Sequence, residues 1–128
     1  MSDKCSVLVA DDNRDAADAL AQLIEAMGHP ARVAYDGAQA FEEFVAFEPD
    51  VAILDVQMPH MNGCAAAARM HAHEHPPPKL IASLTGMPID QEPMRSGSGV
   101  FDEHLTKPCE IAELGDLLGR CQAAIDAK

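Results

Sequence analysis

Tryptophan is absent and tyrosine occurs once, so with four phenylalanines the chain has few large rings with which to build a core. Phe41, Phe44, Phe47, Phe101 and Tyr35 are the whole stock, and the interior must be mainly aliphatic. Positive charge is also scarce: 9 Lys and Arg stand against 21 Asp and Glu, for a net charge of −12. Such a surface neutralises few phosphates, which argues against direct nucleic-acid binding and against docking on anionic membranes. Most of this charge reads as a solubilising surface. No apolar run approaches the roughly 20 residues that span a bilayer. Met1-Ser2-Asp3-Lys4 leads straight into a strand rather than a secretory leader, so membrane insertion is not expected and a cytoplasmic location is. Cys5, Cys64, Cys109 and Cys121 lack the paired spacing of a zinc site, and reduced, mostly buried thiols are the expectation. No glycine-rich phosphate loop follows the first strand; Asp11-Asp12-Asn13-Arg14 stands there, and an anionic nucleotide or flavin would meet the acidic pair head-on.

What the chain does have is an alternation of short apolar runs and amphipathic stretches. Its 128 residues are the size of one domain, 1–128, long enough to bury about two-thirds of the unfolded surface without disulfides or a structural metal. Strands are expected at Val7–Ala10, Ala31–Tyr35, Val51–Leu54, Leu80–Leu84 and near His104–Thr106. Asn13 or a neighbouring Asp can cap a first helix with a stripe of Ala16, Leu20, Leu23, Ile24 and Met27, ended by Gly28. Asp36-Gly37 opens a second helix with Phe41, Phe44 and Val45 on one face, and Pro49 stops it. A third runs from Cys64 to about His73. The last carries Ile111, Leu114, Leu117, Leu118, Cys121 and Ile125. Between them, Pro88, Pro93, Gly97 and Gly99 leave space only for a short, irregular fourth helix. Five alternating units predict an α/β fold of the flavodoxin-like kind. It is a doubly wound, five-stranded parallel sheet of order 2-1-3-4-5, with five helices, the fourth irregular.

In such a sheet, residues at the carboxyl ends of neighbouring strands converge on one crevice. Asp11 and Asp12, Asp55, Thr85 and Lys107 each follow an apolar run, so three carboxylates, a hydroxyl and an ammonium are expected in one pocket. Crowded carboxylates repel one another, and a hard divalent cation such as Mg²⁺ relieves the repulsion. Helix capping alone would explain only one of the acidic pair. Asp55 is best placed to attack phosphorus, and Lys107 offers a compact cation and Thr85 a hydroxyl to the phosphoryl oxygens.

These residues carry a resemblance. Asp11-Asp12, the segment Asp55-Val56-Gln57-Met58-Pro59-His60-Met61-Asn62-Gly63, Leu84-Thr85-Gly86 and Leu105-Thr106-Lys107-Pro108 together resemble the receiver domain of two-component response regulators, over essentially the whole chain. The run Phe101 to Pro108 is similar to receivers of hybrid histidine kinases. The resemblance implies that Asp55 accepts a phosphoryl group from a phosphohistidine on a sensor histidine kinase or a histidine phosphotransfer protein. It implies Mg²⁺ held by the Asp12 and Asp55 side chains and the Gln57 backbone carbonyl, with Asp11 acting mainly through water. It further implies Thr85 and Lys107 on the phosphoryl oxygens, a cis Lys107-Pro108 bond, and a signal passed to a protein target or a covalently linked domain. Such a protein catalyses its own phosphorylation and dephosphorylation and is not an enzyme acting on a metabolite.

Two departures stand out. Where many receivers carry an aromatic switch residue this chain has His104, readable as a rotamer switch with Thr85 or as a static, half-buried histidine. His71, His73 and His75 alternate near the third helix's end, where a spacing of two sends side chains to different faces, and they read as solvent-exposed. The competing function is a pseudo-receiver, an interaction module that is never phosphorylated. A phosphohydrolase with an Asp nucleophile would carry Asp-x-Asp, whereas Val56 and Gln57 follow Asp55, so the general acid is missing.

Overall fold

The strands form where β-branched and aliphatic residues run without interruption. In the computed structural model, which describes residues 5–56, 58, 63–73, 77–85, 101–106 and 111–126, β1 is Val7–Ala10, β2 Ala31–Ala34, β3 Val51–Asp55, β4 Leu80–Thr85 and β5 Glu103–Thr106. The helices are α1 Arg14–Ala26, α2 Gly37–Phe47, α3 Gly63–Ala72 and α4 Ile111–Asp126. All five strands are parallel, in the expected order β2-β1-β3-β4-β5. Four helices lie among the described residues; the irregular helix expected before β5 falls outside them, in residues 86–100.

Alternation along each strand feeds two apolar layers. Val7, Val9, Val51, Ile53, Ala82, Leu84 and Leu105 pack with Ile24 of α1 and Leu114, Leu117 and Leu118 of α4. Leu8, Ala10, Ala52, Leu54 and Ile81 pack with Phe44 of α2 and Met70 of α3. Every residue of β1 and β3 is buried, as a central parallel strand covered on both faces requires.

Local chemistry fixes the helix ends. Asn13 caps α1, its Oδ1 accepting from the Ala16 N–H at 3.1 Å, and Asp36 caps α2 by accepting from the Gln39 N–H at 2.7 Å. Gly28, at φ 96°, turns the chain after α1. The end of α2 is set one residue earlier than the expected stop at Pro49: Glu48 adopts the left-handed conformation at φ 51° and donates its N–H to the Phe44 carbonyl.

Three side-chain expectations and one strand end need correction. Ala16 is exposed, and the buried face of α1 is Ala17, Ala21 and Ile24, with Leu20, Leu23 and Met27 packed beside it. Ile111, expected in the last helix's apolar stripe, stands at its first residue and is 64% exposed. β2 stops at Ala34, one residue short of Tyr35. His73 is half-buried rather than solvent-exposed, its ring edge-on to Phe41 at 5.2 Å and to Phe44 at 5.7 Å; His71 is exposed as expected, and His75 lies outside the described residues.

Two contacts near the carboxyl edge of the sheet are specific enough to test. Gly63 opens α3 with its N–H on the Val56 carbonyl at 3.0 Å. A Cβ there would run into the Asp55 carbonyl oxygen and stand 3.0 Å from the Asp55 carbonyl carbon and 3.1 Å from the Val56 Cα. The need for glycine is thus close backbone approach at the strand end. Gly63→Ala is expected to cost about 1–3 kcal/mol, read by denaturant unfolding; an unchanged midpoint would contradict this packing.

Tyr35, just past β2, donates its hydroxyl to Asp18 Oδ1 at 2.7 Å, while the Arg14 guanidinium lies 4.1 Å over its ring. The hydrogen bond to Asp18, with smaller contributions from burial and the Asp18 charge, holds the Tyr35 hydroxyl above the ordinary tyrosine range. Because the chain has one Tyr and no Trp, tyrosinate absorbance reports this residue alone. The folded protein keeps the Tyr35 proton to higher pH than the unfolded chain, and Asp18→Asn lowers the titration midpoint; equal midpoints for the two proteins would refute the pairing.

Candidate functional site

The parallel register carries two strands to one edge with an acidic residue at the end of each. Ala10 of β1 pairs with Leu54 of β3, so the next residues, Asp11 and Asp55, emerge side by side. The Asp11 N–H donates to the Ala34 carbonyl at 3.1 Å, which ties the end of β1 to β2. One Asp11 oxygen accepts the Asn13 N–H at 3.0 Å, a turn that leads directly into the α1 cap. Asp55 is the last residue of β3, opposite Leu84 of β4, and the following residue, Val56, donates its N–H to the Leu84 carbonyl at 3.2 Å.

Asp11 and Asp55 are buried, at 1% and 4% exposure, while Asp12 is exposed. One carboxylate oxygen from each of the three lies within 4.8 Å of the others. This donor set is all hard oxygen, and its like charges oppose one another across a short gap. That is the chemistry a small divalent cation satisfies best, since it takes carboxylate oxygens and completes its octahedron with water. The residues therefore fit Mg²⁺.

The remaining expected members are placed unevenly. Thr85 ends β4 beside Thr106 of β5, so its backbone is at the same edge. Its side chain, Gln57, Lys107 and the Lys107-Pro108 bond lie outside the described residues.

His104 belongs to β5, opposite Ser83 of β4. It is exposed, not half-buried, and its ring lies 6.0 Å from that of Phe101. Its Nδ1 stands 2.7 Å from Ser83 Oγ: a neutral Nδ1 accepts from the hydroxyl, and a protonated one donates to it. Ser83 is completely buried and was missed from the sequence. Its signal was a lone hydroxyl inside the apolar run Leu80–Leu84, which needs a partner once buried.

Among the described residues no helix is long and apolar enough to cross a membrane. Comparison with known proteins points one way. The chain is 29% identical to response regulator MprA of Mycobacterium ulcerans over 108 residues, covering 84% of this chain and 46% of that protein. It thus spans about half the length of the curated relatives it matches. The Francisella response regulator 1452 receiver domain superposes with a TM-score of 0.79 at 26% identity, covering 93% of this chain and 97% of that one. The receiver domain of sensor histidine kinase PA1611 from Pseudomonas aeruginosa, solved with a magnesium ion coordinated in its active site cleft, shares the fold with a TM-score of 0.82 at 22% identity, covering 94% and 98%. The model of the response regulator receiver domain family matches residues 7–118. Its match takes in both acidic strand ends and the first half of α4, and the chain belongs to the response regulator receiver domain family.

Proposed function

We propose that this domain is the phosphorylation switch of a two-component phosphorelay, with Asp55 as the phosphoacceptor. The observation that carries the reading is the cluster of Asp11, Asp12 and Asp55, whose oxygens lie within 4.8 Å of one another at the carboxyl edge of the sheet. The Asp55 backbone is held there between β3, β4 and the first residue of α3, so the carboxylate stands on a strand end rather than on a loop.

The donor is a phosphohistidine on a sensor histidine kinase or a histidine phosphotransfer protein. An Asp55 oxygen attacks phosphorus, the P–N bond breaks, and its electron pair returns to the imidazole nitrogen, which takes up a proton. The product is an acyl phosphate. Mg²⁺, when bound, supplies charge neutralisation for the phosphoryl oxygens. Asp12 and Asp55 would hold it by their side chains and Gln57 by its carbonyl. Asp11 would act through water; the backbone N–H that one of its oxygens already accepts supports that secondary part. Thr85 and Lys107 bind the phosphoryl oxygens from the ends of β4 and β5. The domain acts on its own aspartate, not on a metabolite. It works in the cytoplasm and signals to a protein target or a linked domain. The net charge of −12 weighs against contact with nucleic acid by this domain itself.

Intact mass after incubation with Mg²⁺ and acetyl phosphate or phosphoramidate tests the reading. One added phosphoryl group is expected, absent in Asp55→Asn and absent without Mg²⁺. No adduct from either donor or from a phosphorylated histidine phosphotransfer protein would instead favour a pseudo-receiver.

A further inference from the structure

At the end of the sheet away from the carboxylates, the start of the chain and the last helix bring two thiols together. Cys5 precedes β1 and Cys121 lies in α4; both are 0% exposed and belong to the same apolar layer. Cys5 Sγ is 3.8 Å from the Leu118 carbonyl oxygen and 3.7 Å from Gln122 Oε1, the helical turn that carries Cys121. Cys121 Sγ is in turn 3.9 Å from the Asp50 carbonyl oxygen. The Asp50 and Val51 N–H groups both donate to the carbonyl of Ser6, the neighbour of Cys5, at 2.8 and 3.0 Å. Each sulfur thus contacts groups that adjoin the other cysteine. Burial, and next a hydrogen bond with the Cys5 side chain, push the Cys121 thiol up. The phosphoacceptor reading uses neither residue, and Asp11 lies six steps of mostly extended chain, roughly 20 Å, from Cys5.

We propose that Cys5 and Cys121 are a latent dithiol that a low-molecular-weight disulfide oxidises to an intramolecular disulfide, fastening the start of the first strand to the last helix. One cysteine loses its proton, and its thiolate attacks the S–S bond of the oxidant, releasing one oxidant sulfur. The second cysteine then displaces the other oxidant sulfur from the mixed disulfide. Two electrons pass from the cysteine sulfurs to the oxidant, which leaves as two thiols carrying the two protons. Because only the thiolate reacts and both sulfurs are buried, the reaction is slow at neutral pH and quickens with alkali and with local opening of α4. In a reducing cytosol the pair stays a dithiol, and the link closes only when the thiol–disulfide balance turns oxidising.

The test treats the whole chain with glutathione disulfide at mildly alkaline pH, blocks remaining thiols, and maps tryptic peptides without reduction. Since trypsin does not cut Lys107-Pro108, the four cysteines fall in four peptides, 5–14, 33–69, 96–120 and 121–128. The expected product has lost two hydrogens, links peptide 5–14 to 121–128, and melts roughly 10 °C higher than the reduced protein. Reductant reverses both changes, and Cys5→Ala abolishes them. A protein carrying Cys64→Ser and Cys109→Ser still closes the link. Glutathione adducts alone, a main product that involves Cys64 or Cys109, or no change of mass would overturn the proposal.

Discussion

Like charges forced together at a strand edge are the constraint on which the site depends. Once β1 and β3 pair in parallel with Ala10 beside Leu54, Asp11 and Asp55 have nowhere else to emerge. At a separation of 4.8 Å or less, two ionised carboxylates oppose each other by roughly 3.5 kcal/mol or more at an effective dielectric of about 20. The fold bears this because both strands are anchored elsewhere. Every residue of β1 is buried, as is every residue of β3, and two apolar layers grip them from opposite faces. Burial of aliphatic surface holds a carboxylate cluster that would otherwise push itself apart. The stored repulsion is what gives a divalent cation its advantage there.

The same anchoring explains the division of labour along the sheet. At its carboxyl edge the backbone is drawn tight around Asp55, by Gly63 on one side and the Val56 to Leu84 hydrogen bond on the other. At the opposite edge, Ser6 and Asp50 exchange hydrogen bonds through both backbone and side chains, and Cys5 packs against the turn of α4 that carries Cys121. Between the two, the buried Ser83 hydroxyl of β4 reaches across to the exposed His104 ring of β5.

Much of this was legible in the sequence because the signals were redundant. Strand order followed from five alternating units, and the acidic site followed from apolar runs that end in Asp. The cap at Asn13 was legible because a short polar side chain there can accept an N–H that the helix cannot use. The misreadings share a cause: a one-dimensional pattern does not say how far a helix is rotated or where its partner ends. Ala16 and Ala17 are both apolar, and only packing against the sheet selects Ala17. Ile111 fits the periodicity of α4 but stands at the helix's first residue, and is exposed. Histidine is ambivalent, so His73 could join the phenylalanines on α2 where an exposed position was expected. Ser83 was passed over because a single hydroxyl in an apolar run carries no partner's address.

Melting of the wild-type and Asp12→Asn proteins, each with and without Mg²⁺, tests the crowded-carboxylate account most directly. It predicts that Mg²⁺ at about a hundred times its dissociation constant stabilises the wild type by roughly 2.7 kcal/mol. It also predicts that Asp12→Asn, one charge poorer, is the more stable protein without Mg²⁺ and gains less from it. A wild type that melts at the same temperature in both conditions, and no more easily than Asp12→Asn, would contradict it.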